Sequence, residues 1–134
     1  MTLFSKDVLR GIMLGKAKCE IRIERSAASD LGYRVILRVK IRAEMLFLEA
    51  IERSLAQHEI SCILKRVEHK ARKKPILVIG GKGNLEKLCS LVPNLPDAKG
   101  EWEDFRTVVE MIVKGEHLTL DGLDKILKIK GLIC

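Results

Sequence analysis

Residues 9–17, Leu-Arg-Gly-Ile-Met-Leu-Gly-Lys-Ala, join two periodicities that few chains set side by side. Leu9, Ile12 and Met13 stand at i, i+3 and i+4, one face of a helix. Gly11 and Gly15 are four apart and share a neighbouring stripe that carries no side chain. Each glycine inside a helix costs about 1 kcal/mol relative to alanine, and close approach of another backbone would offset that cost. Directly afterwards the period falls to two. Cys19, Ile21 and Ile23 alternate with Lys18, Glu20, Arg22 and Glu24, the pattern of a half-buried strand.

The remaining chain continues in the same alternation of elements. The first helix is expected to begin at Ser5 or Lys6 and end near Gly15, with a strand over about residues 17–25. Ser26 to Gly32 has the composition of a turn. A second strand runs from Tyr33 to about Arg42, with Tyr33, Val35, Leu37, Val39 and Ile41 on one face. Arg34, Arg38, Lys40 and Arg42 line the other, interrupted by Ile36. Residues 43–57 read as a helix buried along Met45, Leu48, Ile51 and Leu55. A third strand is expected from Ile60 to about Glu68, a basic turn over 69–74, and a short apolar strand over 75–79. Pro75 is tolerable there as the first residue of the strand. Gly80-Gly81-Lys82-Gly83 is a turn and not a phosphate loop, because the G-x-x-x-x-G-K-[ST] spacing is missing. Asn84 is placed to cap a helix over 85–91. A loop over 93–96 follows, and Trp102, Phe105, Val109 and Ile112 stripe a helix of about four turns. Thr119 is the expected cap of a last helix through Lys130.

With 25 Lys and Arg against 18 Asp and Glu, the formal net charge is +7. That excess favours anionic partners if the cations form a patch, and is only a solvated surface if they do not. Cys19, Cys62, Cys89 and Cys134 contain no C-x-x-C, and His58, His69 and His117 add no metal-ligand spacing, so neither a zinc site nor another cofactor is expected. No signal peptide or long uncharged apolar run is visible, which points to a cytoplasmic protein with reduced thiols and no membrane partner.

The stretch 9–17 resembles the signature helix of the LAGLIDADG homing endonucleases. Leu9 stands at the first Leu, Gly11 at the first Gly, and Ile12 and Met13 at the central apolar pair. Gly15 takes the small position and Ala17 the final glycine. The order helix, strand, strand, helix, strand, strand, helix matches one half of that family, and residues 117–130 look like its closing segment. The resemblance implies an α+β fold in which a four-stranded antiparallel sheet, backed by helices, forms a saddle over DNA. No internal repeat is present, so residues 1–134 are expected to be one domain and one copy of the unit. Single-copy members pair as homodimers through the signature helix, which would place Leu9, Gly11, Ile12 and Gly15 at the interface. The alternative is that the glycines pack on a neighbour in the same chain.

The chemical half of the motif departs from the family. Its catalytic acid, which binds divalent metal, is replaced by Lys16, and Leu14 replaces the other Asp. Lysine is a donor only and cannot ligate a hard cation at neutral pH. Two lysines near a dimer axis would instead hold phosphate, while the plain alternative is a cation at a helix C-terminus. Glu20 is the nearest acid that could serve as a displaced ligand. The expectation is therefore a protein that binds duplex nucleic acid without cleaving it, with a role in regulation, and not an enzyme. Lys16, Lys18, Arg22, Arg34, Arg38, Lys40 and Arg42 would contact the phosphates and base edges. With one Trp and one Tyr, stacking of single strands has little support. Two competing readings are a metal-dependent endonuclease using other carboxylates, and a protein-interaction module docking an acidic partner. The competing account of the basic strand face is a solvated surface paired to Glu20 and Glu24.

Overall fold

The strict alternation of Tyr33–Arg42 builds the central strand, and the rest of the fold is arranged by which of its faces each element covers. The computed structural model describes residues 3–93 and 101–132. The expected loop residues 94–96 and Cys134 lie outside them. Helix α1 (Lys6–Gly15) leads into β1 (Lys18–Arg25) and β2 (Tyr33–Arg42), followed by α2 (Met45–Ala56), β3 (Ile63–Lys65) and β4 (Ile76–Gly80). Helices α3 (Lys82–Leu91), α4 (Glu101–Val113) and α5 (Leu120–Lys130) complete the chain, with a single 3-10 turn at Glu116–Leu118 before α5. The four strands form one antiparallel sheet in the order β1-β2-β4-β3.

From Val35 onward the odd residues of β2 point into the core, whereas Tyr33, expected on that face, is exposed at the strand's start. Leu37, Val39 and Ile41 are buried together with Ile21 of β1 and Leu77 and Ile79 of β4. Helices pack on that face only: Leu9 and Met13 from α1, Leu48, Ile51 and Leu55 from α2, Leu85 and Leu88 from α3, Phe105, Val108 and Val109 from α4, and Ile126 from α5 share one cluster with them. A four-stranded sheet covered on one side keeps its period-two pattern, apolar inward and polar outward.

Helix ends are tied to neighbouring elements. Ser5, one of the two expected starting residues, caps α1 by accepting from Val8 N–H. The Trp102 indole donates to the Met13 carbonyl at 2.9 Å, and the Arg10 guanidinium to the Leu91 carbonyl at 2.8 Å. Ser54, buried in α2, donates to the Ala50 carbonyl and accepts from Phe4 N–H at 2.8 Å, which holds the segment entering α1. Thr119 caps α5 through Gly122 N–H at 3.0 Å. A side chain at Gly122 would collide with the Glu116 carbonyl, so this helix glycine is required by close approach.

Two local expectations change. Strand β3 is three residues long rather than nine. The reason is that Ile60 is held back by α2, its N–H bonded to the Leu55 carbonyl, while Ser61 N–H donates to the Asn84 side chain. Those residues are fixed by helices and not by a ladder. Asn84 accordingly does not cap α3. Its amide bridges Ser61 and the Gly80 carbonyl at 3.1 Å, and α3 starts earlier, at Lys82, after Gly81 at φ 91°.

Candidate nucleic-acid interface

The sheet face turned away from the helices carries the predicted cations. Register fixes their arrangement. Lys18, Lys40, Val78 and Ile63 form one row across all four strands, with Arg42, Ile76 and Lys65 in the row beside it. On the other side lie Glu20 opposite Arg38, Arg22 opposite Ile36 and Glu24 opposite Arg34. Lys18, Arg22, Arg34, Arg38, Lys40 and Arg42 therefore share one surface. Lys65, which the sequence reading did not single out, joins it from β3.

The cross-strand pairing weighed against a functional face is also present. Lys40 bonds Glu20 at 2.9 Å, and Glu24 holds both Arg34, at 2.9 Å, and Arg22. Arg42 makes a two-pronged contact with Glu68, at 2.7 and 2.8 Å. Arg72 approaches the same carboxylate at 3.2 Å and His69 at 3.7 Å. Among the described residues, Lys18, Arg38 and Lys65 have no carboxylate within ion-pairing distance. Seven cations face three carboxylates, so the surface stays positive after pairing. The pairs also restrain long side chains that would otherwise be free to move. Arg38 runs over Gly80, where a side chain would meet its Cγ at 3.9 Å.

Glu68 is the member of this surface least visible in the sequence. It is the sole acid in a ten-residue run with six Lys and Arg, residues 65–74. That run folds back on itself, with Glu68 N–H bonded to the Lys74 carbonyl and His69 and Arg72 exchanging backbone bonds. The isolated acid in a basic stretch was the available signal. Its partner Arg42, 26 residues away, was not legible.

Lys16 is exposed at the end of α1, just beyond Gly15. The nearest acids in the following elements are already engaged. Glu101 Oε1 accepts from Cys19 N–H at 2.9 Å, and Glu20 Oε2 is engaged by Lys40. Only the enclosed Glu20 Oε1 lacks a partner there, whereas a hard cation requires several oxygen ligands. Among the described residues no group of three or more acidic, His or Cys side chains is close enough to hold a metal. Burial pushes the Cys62 thiol up to about 12 and that of Cys89 to about 11, which disfavours the thiolate at both.

On α1, a side chain added at Gly11 or Gly15 would meet no atom of the described residues within 4 Å. No described residue of the same chain packs on them. Ile12 is half-buried beside them, and Val8 and Leu14 are exposed. Leu9 is a correction to the expected interface. It is fully buried in the chain's own core, because it lies on the opposite face of the helix with Met13.

No family model and no curated protein matches the sequence. Solved structures do match. The homing endonuclease I-TnaI superposes with a TM-score of 0.80 at 23% identity, covering 96% of this chain and 86% of that one. The fold is that of the LAGLIDADG homing endonucleases. The LAGLIDADG homing endonuclease I-LtrWI, solved bound to target DNA, gives 0.81 at 23% identity over all of this chain but 45% of its own. The LAGLIDADG meganuclease I-CpaMI, bound to uncleaved DNA, gives 0.76 at 21%, and the chain again spans less than half of it, 44%. Within this LAGLIDADG fold, the outer face of the sheet is the surface left open by the helices.

The Glu68 cluster has a pH signature. Hydrogen bonding from Arg42, with the charges of Arg42, His69 and Arg72, lowers the Glu68 carboxyl from 4.5 to about 2, against an opposing effect of burial. A carboxylate depressed on folding stabilises the native state fully above its unfolded pKa and loses that contribution as pH falls through the folded value. Glu68→Gln is therefore expected to lower the urea midpoint at pH 7. The gap to the wild type should narrow between about pH 4.5 and pH 2. A gap that is constant with pH would remove the Glu68 carboxylate as its source.

Proposed function

We propose that this chain binds duplex DNA through the outer face of its sheet and does not cleave it. The observation that carries the reading is the register itself: Lys18, Arg22, Arg34, Arg38, Lys40, Arg42 and Lys65 lie on one uncovered face with only three carboxylates among them. A twisted antiparallel ribbon fits the major groove, and Arg and Lys on it reach phosphates and base edges. Two proteins of the same fold, I-LtrWI and I-CpaMI, were solved with DNA bound, which supports this choice of partner. Lys16 supports binding without cleavage. At the signature position it supplies a cation where an acid would bind metal, so the end of α1 attracts phosphate and repels divalent ions.

Fluorescence anisotropy on a random-sequence duplex across a salt series tests both halves. If the face neutralises on the order of six phosphates, log K falls against log salt with a slope of about −5. Arg38→Ala combined with Lys65→Ala removes two unpaired cations and should flatten the slope by roughly 2 per chain. Lys40→Ala should have a smaller effect, since Lys40 is already engaged by Glu20. Supercoiled plasmid incubated with magnesium or manganese is expected to stay intact. An unchanged slope in the double variant, or nicking abolished by Glu20→Gln, would contradict this function.

The same reading pairs two copies through α1. Gly11 and Gly15 leave a groove beside the exposed Val8 and Leu14, with no atom of the described residues to fill it. A helix from a second copy, related by a two-fold axis, offsets the helical cost of both glycines by close backbone approach. Gly11→Leu with Gly15→Leu should shift the sedimentation coefficient from dimer to monomer while circular dichroism stays native. A native wild-type protein that sediments as a monomer at high concentration would rule the pairing out.

A further inference from the structure

The outer face is not uniformly polar. Where β3 joins it, the alternation that keeps apolar side chains inward is broken. Ile63, Val78 and Ile76 all point outward, on the side opposite the helical core. Ile63 is 60% exposed, whereas Ile76 is fully buried beneath its neighbours. Together they floor a hollow of about 280 Å³ rimmed by Arg38, Lys40, Lys65, His69 and Glu68, the last already held by Arg42. Exposing a large aliphatic side chain beside a cationic rim gains nothing for folding, and an apolar patch rimmed by polar groups marks a contact surface.

With three cations against one carboxylate that Arg42 already engages, the rim favours a polyanion, and the floor favours an apolar group carried by one. On duplex DNA the major groove offers one such group, the C5-methyl of thymine. We propose that this hollow receives thymine methyl groups, so that Ile63 and Val78 give the sheet a preference for T·A pairs over pairs lacking the methyl. The rows make this geometry natural. Lys40 and Lys18 continue the row of Ile63 and Val78, so cations and methyl contacts lie in line across the sheet. Arg38 and Lys65 flank the floor and hold phosphates while the aliphatic side chains meet the base edge. The proposal rests on the DNA-binding reading above and adds to it the chemistry by which the face discriminates between duplexes.

Replacing thymine by uracil removes the methyl and leaves every hydrogen-bonding group in place. Binding is compared on an alternating d(AT) duplex and its d(AU) counterpart, so that a methyl is present in any register. Moving one methyl from water into contact with Ile63 and Val78 changes affinity about four-fold. The wild type is expected to prefer d(AT) by at least this factor. Ile63→Ser, at an exposed position, should bring the ratio towards one with an unchanged salt slope. Val78→Thr, nearly isosteric, should lower it in the same direction. Any effect of uracil on duplex shape acts equally on wild type and variants and cancels in the comparison. A ratio of one in the wild type, or the same ratio in both variants, overturns the thymine reading while leaving DNA binding intact. Absence of binding to either duplex overturns the DNA reading itself, and this proposal with it.

Discussion

Burial of one sheet face organises the molecule. Leu37, Val39 and Ile41 of β2 are inward because five helices supply Leu9, Leu48, Leu85, Phe105 and Ile126 to cover them. Once those odd residues are committed, the pleat leaves the even residues no choice of side. Arg34, Arg38, Lys40 and Arg42 must stand together on the other surface, however far apart their partners lie along the chain. Slipping the register by one residue would put four cations into the core, so the hydrophobic packing and the charged face enforce each other.

Gathering like charges on one face has an electrostatic cost, and the carboxylates offset it. Glu20, Glu24 and Glu68 each sit between or beside cations and hold their side chains in defined directions. Exposed pairs such as Arg34 with Glu24 contribute little to stability. Their value lies in order: a restrained guanidinium loses less freedom when it meets a phosphate. Among the described residues Arg38, Lys18 and Lys65 have no carboxylate partner, so the proposed binding would engage them without breaking an ion pair. The surface thus combines a fixed framework with a few uncommitted charges.

Much of this could be read from the residues. Strand β2 begins and ends where the alternation does, at Tyr33 and Arg42, because no other pattern competes with a ten-residue period of two. Ser5 and Thr119 cap their helices because short hydroxyl side chains stand one residue ahead of an apolar period. Where two long-range contacts compete for one residue, the sequence was silent. Asn84 has the chemistry of a cap but is drawn to Ser61 and Gly80, and Ile60 and Ser61 are taken from β3 by the helices that hold them. Leu9 shows the same effect on α1. A motif position indicated an interface, whereas helical geometry places Leu9 with Met13 against the core and leaves Gly11 and Gly15 outside. Glu68 was hidden because its role depends on Arg42, brought to it only by the strand order β2-β4-β3.

The face used for binding can be located directly. Backbone amide resonances followed by heteronuclear NMR during titration with a short duplex at low salt report which surface meets DNA. The expected result is perturbation confined to β1, β2, β3 and β4 on the outer face, strongest around Lys18, Arg38, Lys40, Ile63 and Lys65, and extending to Lys16 at the end of α1. Perturbations centred instead on the groove between α3 and α4, near Glu86, Arg106 and Glu110, would contradict the account, as would a spectrum that does not change.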